Sequence, residues 1–277
     1  MKPVALMRSA AKERLVTRMT VPMITAHSGC EGTQRDSMES VRRAIELGAD
    51  AVEVDVRMDP AGVLRISHDK RHSVSEYAAH QTLESVFALL GPTSLSINCD
   101  VKEREHLYAL LSLAKRYGFD KSRLILSGSV SPEQVSYDPG IADRATLFMN
   151  IEELFKYLYL HKGPFSMGDF SRLMTDPWAF TRTYMKHFED HVPSVVELAL
   201  HLEIEVINFP YHHLGEEHFK ALQTAGLSVS IWTVDDRIAL ERILAFSVSN
   251  LENVTTRQVS MAQSLLQTRQ TVVSQPF

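Results

Sequence analysis

Imidazole and carboxylate side chains occur at or near the ends of short apolar segments in the first hundred residues of the chain. They are His27, Glu53, Asp55, His68 and Asp100. Imidazoles titrate near neutral pH, so a pair of them suits proton transfer to and from a substrate. Carboxylate oxygens are the ligands that hard divalent cations prefer. The sequence therefore predicts acid–base or metal-assisted chemistry in this part of the chain.

The spacing of the acids indicates which way they face. Side chains two apart on a strand share a face, so Glu53 and Asp55 point together while the valines around them point the other way. Asp100 and Lys102 share a face of a later strand by the same reasoning. Because burying uncompensated charge is costly, the inward acids need a cation. One Mg²⁺ or Ca²⁺ would serve, ahead of zinc because no cysteine accompanies them; Lys102 and arginines alone would serve as well.

The segments that carry these residues alternate with helical patterns, which is typical of a parallel sheet wrapped by helices. We predict helices at 37–47, 103–117, 216–224 and 236–245, and a short return strand at 63–67. Eight strands are predicted, at 22–27, 51–56, 94–101, 123–127, 145–149, 205–209, 228–234 and 251–255. Eight strands within 277 residues indicate an α/β fold, one (β/α)₈ TIM barrel spanning 1–277 as a single domain.

Two stretches do not fit the plain alternation. Residues 150–203, between strands five and six, are too long for one helix and rich in aromatic residues, which predicts a helical insertion. The insertion would either lie over the barrel mouth and shape a pocket or add an outer pair of packing helices. Residues 1–20 are expected to form an amphipathic lead-in that packs on the barrel or caps its bottom.

Composition narrows the classes of partner. The net charge is −5 and no long basic run occurs, so a nucleic-acid partner is not expected. No apolar run is long enough for a transmembrane segment or a secretory signal. Cys30 and Cys99 lie in no metal-binding spacing and are predicted to be free thiols, as in a reducing cytoplasm. We expect a cytoplasmic protein with a small-molecule partner; the composition leaves the oligomeric state open.

The same residues fall into motifs that resemble the glycerophosphodiester phosphodiesterase family. The similarity covers 22–102 and 204–257 and is faint in between. The family's His-Arg-Gly opening resembles Ala26-His27-Ser28-Gly29, and its Glu-x-Asp strand resembles Val52-Glu53-Val54-Asp55-Val56. Its second histidine segment resembles Ser67-His68-Asp69, and its Asn-x-Glu-x-Lys strand resembles Asn98-Cys99-Asp100-Val101-Lys102. Its Trp-Thr-Val strand resembles Ser230-Ile231-Trp232-Thr233-Val234.

This resemblance implies a metal-dependent enzyme that hydrolyses a glycerol-linked phosphodiester to an alcohol and glycerol phosphate. It implies His27 and His68 as general acid and base, and a metal held by Glu53, Asp55 and Asp100. It further implies that the neighbouring glycerol hydroxyl attacks first and gives a cyclic phosphate, which water then opens.

The chain departs from the family pattern at three places. Ser28 replaces the arginine after the first histidine, Arg35-Asp36-Ser37 replaces Glu-Asn-Thr, and Asp100 stands in place of glutamate. We hypothesise that Arg35 supplies a phosphate-binding guanidinium in place of the missing arginine; a solvated Arg35 is the alternative. The shorter Asp100 would shift a metal by about 1 Å or admit a bridging water.

Three further residues are expected to contact the substrate: Lys102, Arg35 and Trp232. Trp232, at the end of the seventh predicted strand, would form an apolar wall of the barrel mouth, unless it fills the top of the core instead. Two other functions stay open. One is a non-catalytic barrel that binds a phosphorylated ligand, which the changes at Ser28 and Arg35 favour. The other is a phospholipase D-like enzyme on lysolipid head groups, with the acyl chain held by the 150–203 insertion.

Overall fold

Nine strands form one sheet in the computed structural model, which describes residues 21–162, 171, 175–186, 188–246 and 248–273. The strands are β1 (Met23–Ala26), β2 (Ala51–Met58), β3 (Leu64–Ile66), β4 (Ser96–Val101), β5 (Leu124–Gly128), β6 (Thr146–Asn150), β7 (Val206–Pro210), β8 (Ser228–Trp232) and β9 (Leu251–Thr256). Thr25 of β1 pairs with both Ala51 of β2 and Thr255 of β9, so eight parallel strands close into a barrel. This confirms the predicted (β/α)₈ fold and its eight strand positions. The remaining strand, β3, lies outside the barrel order and pairs antiparallel with the end of β2.

Helices connect the strands. Several helices have a polar N-cap residue whose side chain accepts a hydrogen bond from a backbone N–H of the first turn, as Ser37 and Asp236 do. Positive-φ glycines follow the ends of others, as at Gly48 and Gly118. The described helices are α1 (Met38–Glu46), α2 (Val74–Tyr77), α3 (Leu83–Leu90), α4 (Leu107–Arg116), α5 (Pro132–Tyr137), α6 (Gly140–Arg144), α7 (Ile151–Lys162), α8 (Pro177–Met185), α9 (Phe188–His201), α10 (Glu216–Thr224), α11 (Arg237–Leu244) and α12 (Val259–Val273).

The four predicted helices are confirmed with small differences at their ends. The first turn of the predicted helix 103–117 is a 3₁₀ helix, Arg104–His106, and α4 follows it directly. Helix α3, between the return strand and the third barrel strand, is an addition to the helices that the sequence predicts. Its side chains Leu83, Phe87 and Leu90 are buried in the main core.

The two faces of the barrel strands differ in character. The outward valines of β2 belong to the large apolar core under the helices. Inside the barrel, polar side chains bond to one another: the Thr25 hydroxyl donates to Asn253 Oδ1 at 2.6 Å, and the Ser127 hydroxyl donates to Asn98 Oδ1 at 2.9 Å. Because these buried polar groups satisfy one another, the interior can present a polar floor at its mouth.

The return strand β3 is fixed by a carboxylate at the turn. Asp59 is buried and accepts hydrogen bonds from the backbone N–H groups of Ala61 and Val63, each at 2.9 Å. Its second oxygen accepts from Arg65 Nε at 3.0 Å. This turn returns the chain to the barrel mouth, where His68 follows the strand.

The described part of the 150–203 insertion consists of α7, α8 and α9, which confirms a helical insertion between barrel strands five and six. Its described aromatic side chains pack on one another: the rings of Tyr159 and Phe180 lie 5.2 Å apart, and those of Phe155 and Phe188 lie 6.3 Å apart. These four side chains are buried. These four side chains therefore serve packing, while Glu152 and Glu153 in the first turn of α7 line the barrel mouth. The predicted lead-in, 1–20, lies outside the described residues.

Both cysteines, Cys30 and Cys99, are buried free thiols, as predicted. Within the described ranges, no helix is both long and apolar enough to cross a membrane.

Candidate active site

A cleft of about 350 Å³ opens at the carboxyl-terminal ends of the barrel strands, where barrel enzymes place their active sites. The structure brings all eight predicted site residues to its walls: His27, Arg35, Glu53, Asp55, His68, Asp100, Lys102 and Trp232. The proximity of the residues on or next to β1, β2 and β4 follows from strand order and register, because these three strands are neighbours in the barrel.

Glu53, Asp55 and Asp100 form what we call the acidic centre, in which one oxygen of each lies within 4.8 Å of the others. The register of β2 and β4 places Asp55 directly beside Asp100. Lys102 Nζ lies 2.5 Å from Asp55 Oδ1 and 2.8 Å from Asp100 Oδ2. Among the described residues no arginine pairs with these acids. When all three carboxylates are ionised, they and the one ammonium leave two negative charges, which matches one divalent cation.

The electrostatics of the acidic centre point the same way. Burial raises the pKa of Glu53 well above its usual range, and the charges of Asp55 and Asp100 raise it further. Burial alone would lower the pKa of Lys102, but the charges of Asp100 and Asp55 outweigh it and raise that pKa. The centre therefore holds its lysine as a cation and still carries excess negative charge.

Two observations test whether these residues fit a metal. Asp55 Oδ2 is buried and has no hydrogen-bond partner among the described residues. Gly128, at the end of β5, has a φ of 78°, and a Cβ there would lie 1.9 Å from Asp100 Oδ1. The glycine at position 128 thus leaves room for the Asp100 carboxylate, and Asp55 Oδ2 is the oxygen without a partner among the described residues. A hard cation with oxygen ligands fits this donor set.

His27 lies beside the acidic centre at the end of β1. Its Nδ1 is 3.0 Å from the Ser28 carbonyl oxygen, which can only accept, so Nδ1 carries the proton. In the neutral ring Nε2 is then a bare acceptor, 3.8 Å from Glu53 Oε2. Burial lowers the pKa of His27, which favours this neutral form.

His68 lies at the rim of the cleft, with 51% of its side chain exposed. Its Nδ1 is 2.9 Å from Asp69 Oδ1, so the carboxylate orients the ring as a hydrogen-bond acceptor. The hydrogen bond from His68 lowers the pKa of Asp69. In the sequence Asp69 stands out only as part of a motif, without a role of its own.

One residue that the sequence analysis did not single out connects the two histidine segments. Asp36 Oδ1 accepts from the Ser28 hydroxyl at 3.1 Å, and Asp36 Oδ2 accepts from the His68 backbone N–H at 2.9 Å. The Asp36 backbone N–H donates to the Ser28 hydroxyl at 2.7 Å. Ser28 is buried and its own N–H donates to Glu53 Oε2 at 3.1 Å. The replacement of arginine by serine therefore accompanies a compact link between the segments.

The remaining predicted substrate contacts lie around the rim. Arg35 is exposed, and among the described residues it forms no ion pair with a carboxylate, so its guanidinium is available to an anion. Trp232 is half-buried at the end of β8 and lines the cleft. Both positions allow contact with a substrate in the cleft.

Comparison with known proteins adds to this geometry. Residues 27–115 match the model of the glycerophosphoryl diester phosphodiesterase family. Over these residues the chain is similar to that family. The resemblance seen in the motifs is thereby confirmed, and because the family comprises enzymes that hydrolyse phosphodiesters, the chain is classed as an enzyme. No curated protein matches the sequence.

Solved structures share the fold. A glycerophosphodiester phosphodiesterase from Parabacteroides distasonis is 17% identical, with a TM-score of 0.63 over 90% of this chain and 98% of its own. One from Thermotoga maritima is 20% identical, with a TM-score of 0.60 over 88% and 98%. A phosphodiesterase from Oleispira antarctica, solved with the product sn-glycerol-3-phosphate, is 14% identical, with a TM-score of 0.64 over 89% and 97%. At these identities the likeness establishes the barrel fold.

Proposed function

We propose that this protein is a metal-dependent phosphodiesterase that hydrolyses glycerophosphodiesters to an alcohol and glycerol phosphate. The observation that carries the proposal is the acidic centre, flanked by His27 and His68 in one cleft of a (β/α)₈ barrel. The product bound to the Oleispira antarctica enzyme supports glycerol phosphate as the product here. Two buried free thiols support a reducing compartment such as the cytoplasm.

Glu53, Asp55 and Asp100 would hold one Mg²⁺ or Ca²⁺, with Lys102 holding Asp55 and Asp100 in place. When bound, such an ion acts as a Lewis acid on the phosphoryl oxygens and offsets their negative charge. Arg35 would add a second positive charge from the rim. Lys102 and Trp232 would line the bound diester.

The two histidines would divide the proton transfers. The bare Nε2 of His27 would accept the proton of the attacking hydroxyl as its oxygen forms a bond to phosphorus. His68, oriented by Asp69, would donate a proton to the alcohol oxygen as its bond to phosphorus breaks. With the neighbouring glycerol hydroxyl as the attacking group, the first step would leave a cyclic phosphate, a protonated His27 and a neutral His68. Water would then lose a proton to His68 as its oxygen bonds to phosphorus, while His27 would return its proton to the glycerol oxygen whose bond to phosphorus breaks, which gives glycerol phosphate and restores both rings.

The lysolipid alternative loses its structural support among the described residues. The described aromatic side chains of the insertion that are buried, such as Phe155 and Phe180, do not line the cleft. The cleft wall formed by β6, β7 and α7 carries polar side chains instead. A small, polar diester is therefore the better match.

Turnover of a glycerophosphodiester, measured with Mg²⁺ or Ca²⁺ and again with chelator, tests the proposal. We expect activity only with metal, and His27→Ala and His68→Ala should each reduce kcat by about 10²-fold or more. His201→Ala is the matched control, because His201 is exposed at the end of α9 and does not line the cleft. Near-normal kcat in either cleft variant would refute its role, and tight binding of glycerol phosphate without any turnover would favour the non-catalytic alternative.

A further inference from the structure

The wall of the cleft that faces the acidic centre has a chemistry of its own. In the order of the eight barrel strands, β7 lies four positions from β2, so their ends face each other across the mouth. This wall is formed by the ends of β6 and β7 and by the first turn of α7. It contributes Asn150, Asn208 and Glu152 to the cleft.

These three side chains form a relay whose direction is fixed by its acid. Asn150 Nδ2 donates to Glu152 Oε1 at 2.9 Å, and Asn208 Nδ2 donates to Asn150 Oδ1 at 2.8 Å. An ionised carboxylate can only accept, so Asn150 must present its NH₂ group to Glu152 and its oxygen to Asn208. Asn208 must then use its NH₂ group on Asn150, which leaves its own oxygen turned away from the relay.

The relay ends in two acceptor oxygens that lack donors. Glu152 Oε2 and Asn208 Oδ1 are both buried, and neither has a hydrogen-bond partner among the described residues. Asn208 is 6% exposed and Asn150 is 8% exposed, so solvent does not readily replace a missing donor. A ligand in the cleft that donates hydrogen bonds would satisfy both oxygens.

Glu152 forms no direct ion pair among the described residues, in contrast to its neighbour. Glu153 pairs with both Arg104 and Lys156, whose Nζ lies 2.7 Å from Glu153 Oε1. No described cation pairs with Glu152. Burial raises the pKa of Glu152 to about 7; the charge of Glu153 adds to this, and the charge of Lys156 offsets part of it. A cationic ligand would stabilise the ionised form that the relay requires.

We infer that this wall binds the alcohol end of the substrate and selects an alcohol that carries a primary ammonium group. This inference rests on the proposed function and names the substrate class within it. A primary ammonium offers three N–H donors and one positive charge, which suits two acceptor oxygens and one unpaired carboxylate. A quaternary ammonium has the charge but no N–H donor, and a neutral polyol has donors but no charge.

Three diesters that share the glycerol phosphate part test the inference: glycerophosphoethanolamine, glycerophosphocholine and glycerophosphoglycerol. We expect the wild-type enzyme, loaded with Mg²⁺ or Ca²⁺, to have the highest kcat/KM for the ethanolamine diester, by about tenfold or more. Glu152→Gln should lower the ratio of kcat/KM for the ethanolamine diester to that for the glycerol diester by about tenfold. Glu153→Gln removes an adjacent but paired charge and should keep the wild-type ratio.

The outcomes separate this inference from the proposed function. Hydrolysis of none of the three diesters would overturn the proposed function itself. Hydrolysis of the glycerol diester with no preference for the ethanolamine diester would overturn only the inference, as would equal rates on the choline and ethanolamine diesters. The same conclusion follows if Glu152→Gln keeps the wild-type ratio, or if Glu153→Gln changes it equally. The wild-type preference needs no variant, so it decides the matter even if Glu152→Gln does not fold.

Discussion

Replacing Glu53 by glutamine should separate metal binding from folding. Glutamine has the same shape and keeps an oxygen that can accept from the Ser28 N–H, which lies 3.1 Å from Glu53 Oε2. It also removes a negative charge that Asp55 and Asp100 repel. Burial and this repulsion together raise the pKa of Glu53. Without metal, we therefore expect the free energy of unfolding to change by less than about 1 kcal/mol.

With metal the two proteins should differ. A ligand at about 100 times its Kd stabilises the native state by about 2.7 kcal/mol. For a domain of this size about 1 kcal/mol shifts Tm by about 2–4 °C, so wild type should gain about 5–11 °C. Glu53→Gln removes one of three carboxylate ligands from the acidic centre. Its gain in Tm at the same metal concentration should be small or absent.

Differential scanning calorimetry of chelated protein, titrated with Mg²⁺ and with Ca²⁺, measures this difference. Glu152→Gln is the matched control, because Glu152 lines the same cleft, also has a buried carboxylate oxygen and lies outside the acidic centre. This variant should keep the full metal-induced shift in Tm. A full metal-induced shift in Glu53→Gln, or none in wild type, would refute the reasoning. A large loss of stability in chelated Glu53→Gln would show that the carboxylate is needed for folding.

Three further predictions follow from the structure. Gly128→Ala should lower the free energy of unfolding by about 2 kcal/mol or more and abolish the metal-induced Tm shift, because its Cβ would lie 1.9 Å from an Asp100 oxygen. The control is Gly118→Ala, which is also at positive φ but has open space around it and should keep the shift. Equal metal-induced shifts in the two variants would contradict this prediction. Burial raises the pKa of Asp59, but two backbone amides and an arginine outweigh it and lower that pKa. Asp59→Asn should therefore cost about 1–3 kcal/mol in urea unfolding above about pH 4, and the difference should shrink as the pH falls through the lowered pKa; a cost independent of pH would argue against the ionised carboxylate. Trp232→Phe should raise KM several-fold with little change in Tm, whereas an unchanged KM with a clear loss of stability would assign the ring to the core.

The sequence alone determined the elements of the fold and the faces of the strands that matter. Strand positions could be predicted because apolar, β-branched runs alternate with helical patterns, and each strand of a barrel leaves that local trace. The period of two is enough to place Glu53 and Asp55 on the same face of their strand, and both line the cleft. His27 and His68 could be placed at strand ends for the same reason, since position along a strand is a local property.

Only the tertiary structure decided which of these side chains meet and what completes the site. Asp36 links the two histidine segments through Ser28, and Gly128 makes room for Asp100, yet neither residue lies in a recognisable spacing with its partner. Their contacts depend on loop conformation and on the register between neighbouring strands, which a local pattern does not encode.

The wall opposite the acidic centre illustrates the same limit over a longer range. Asn150 and Asn208 are 58 residues apart in the sequence, and a helical insertion separates them. In the sequence each is an ordinary polar residue at the end of a strand. Closure of the barrel brings β6 beside β7 and turns both toward β2. Periodicity follows from the backbone geometry of each element, whereas contact across the mouth follows from the order and closure of all eight strands, so only the folded barrel could reveal it.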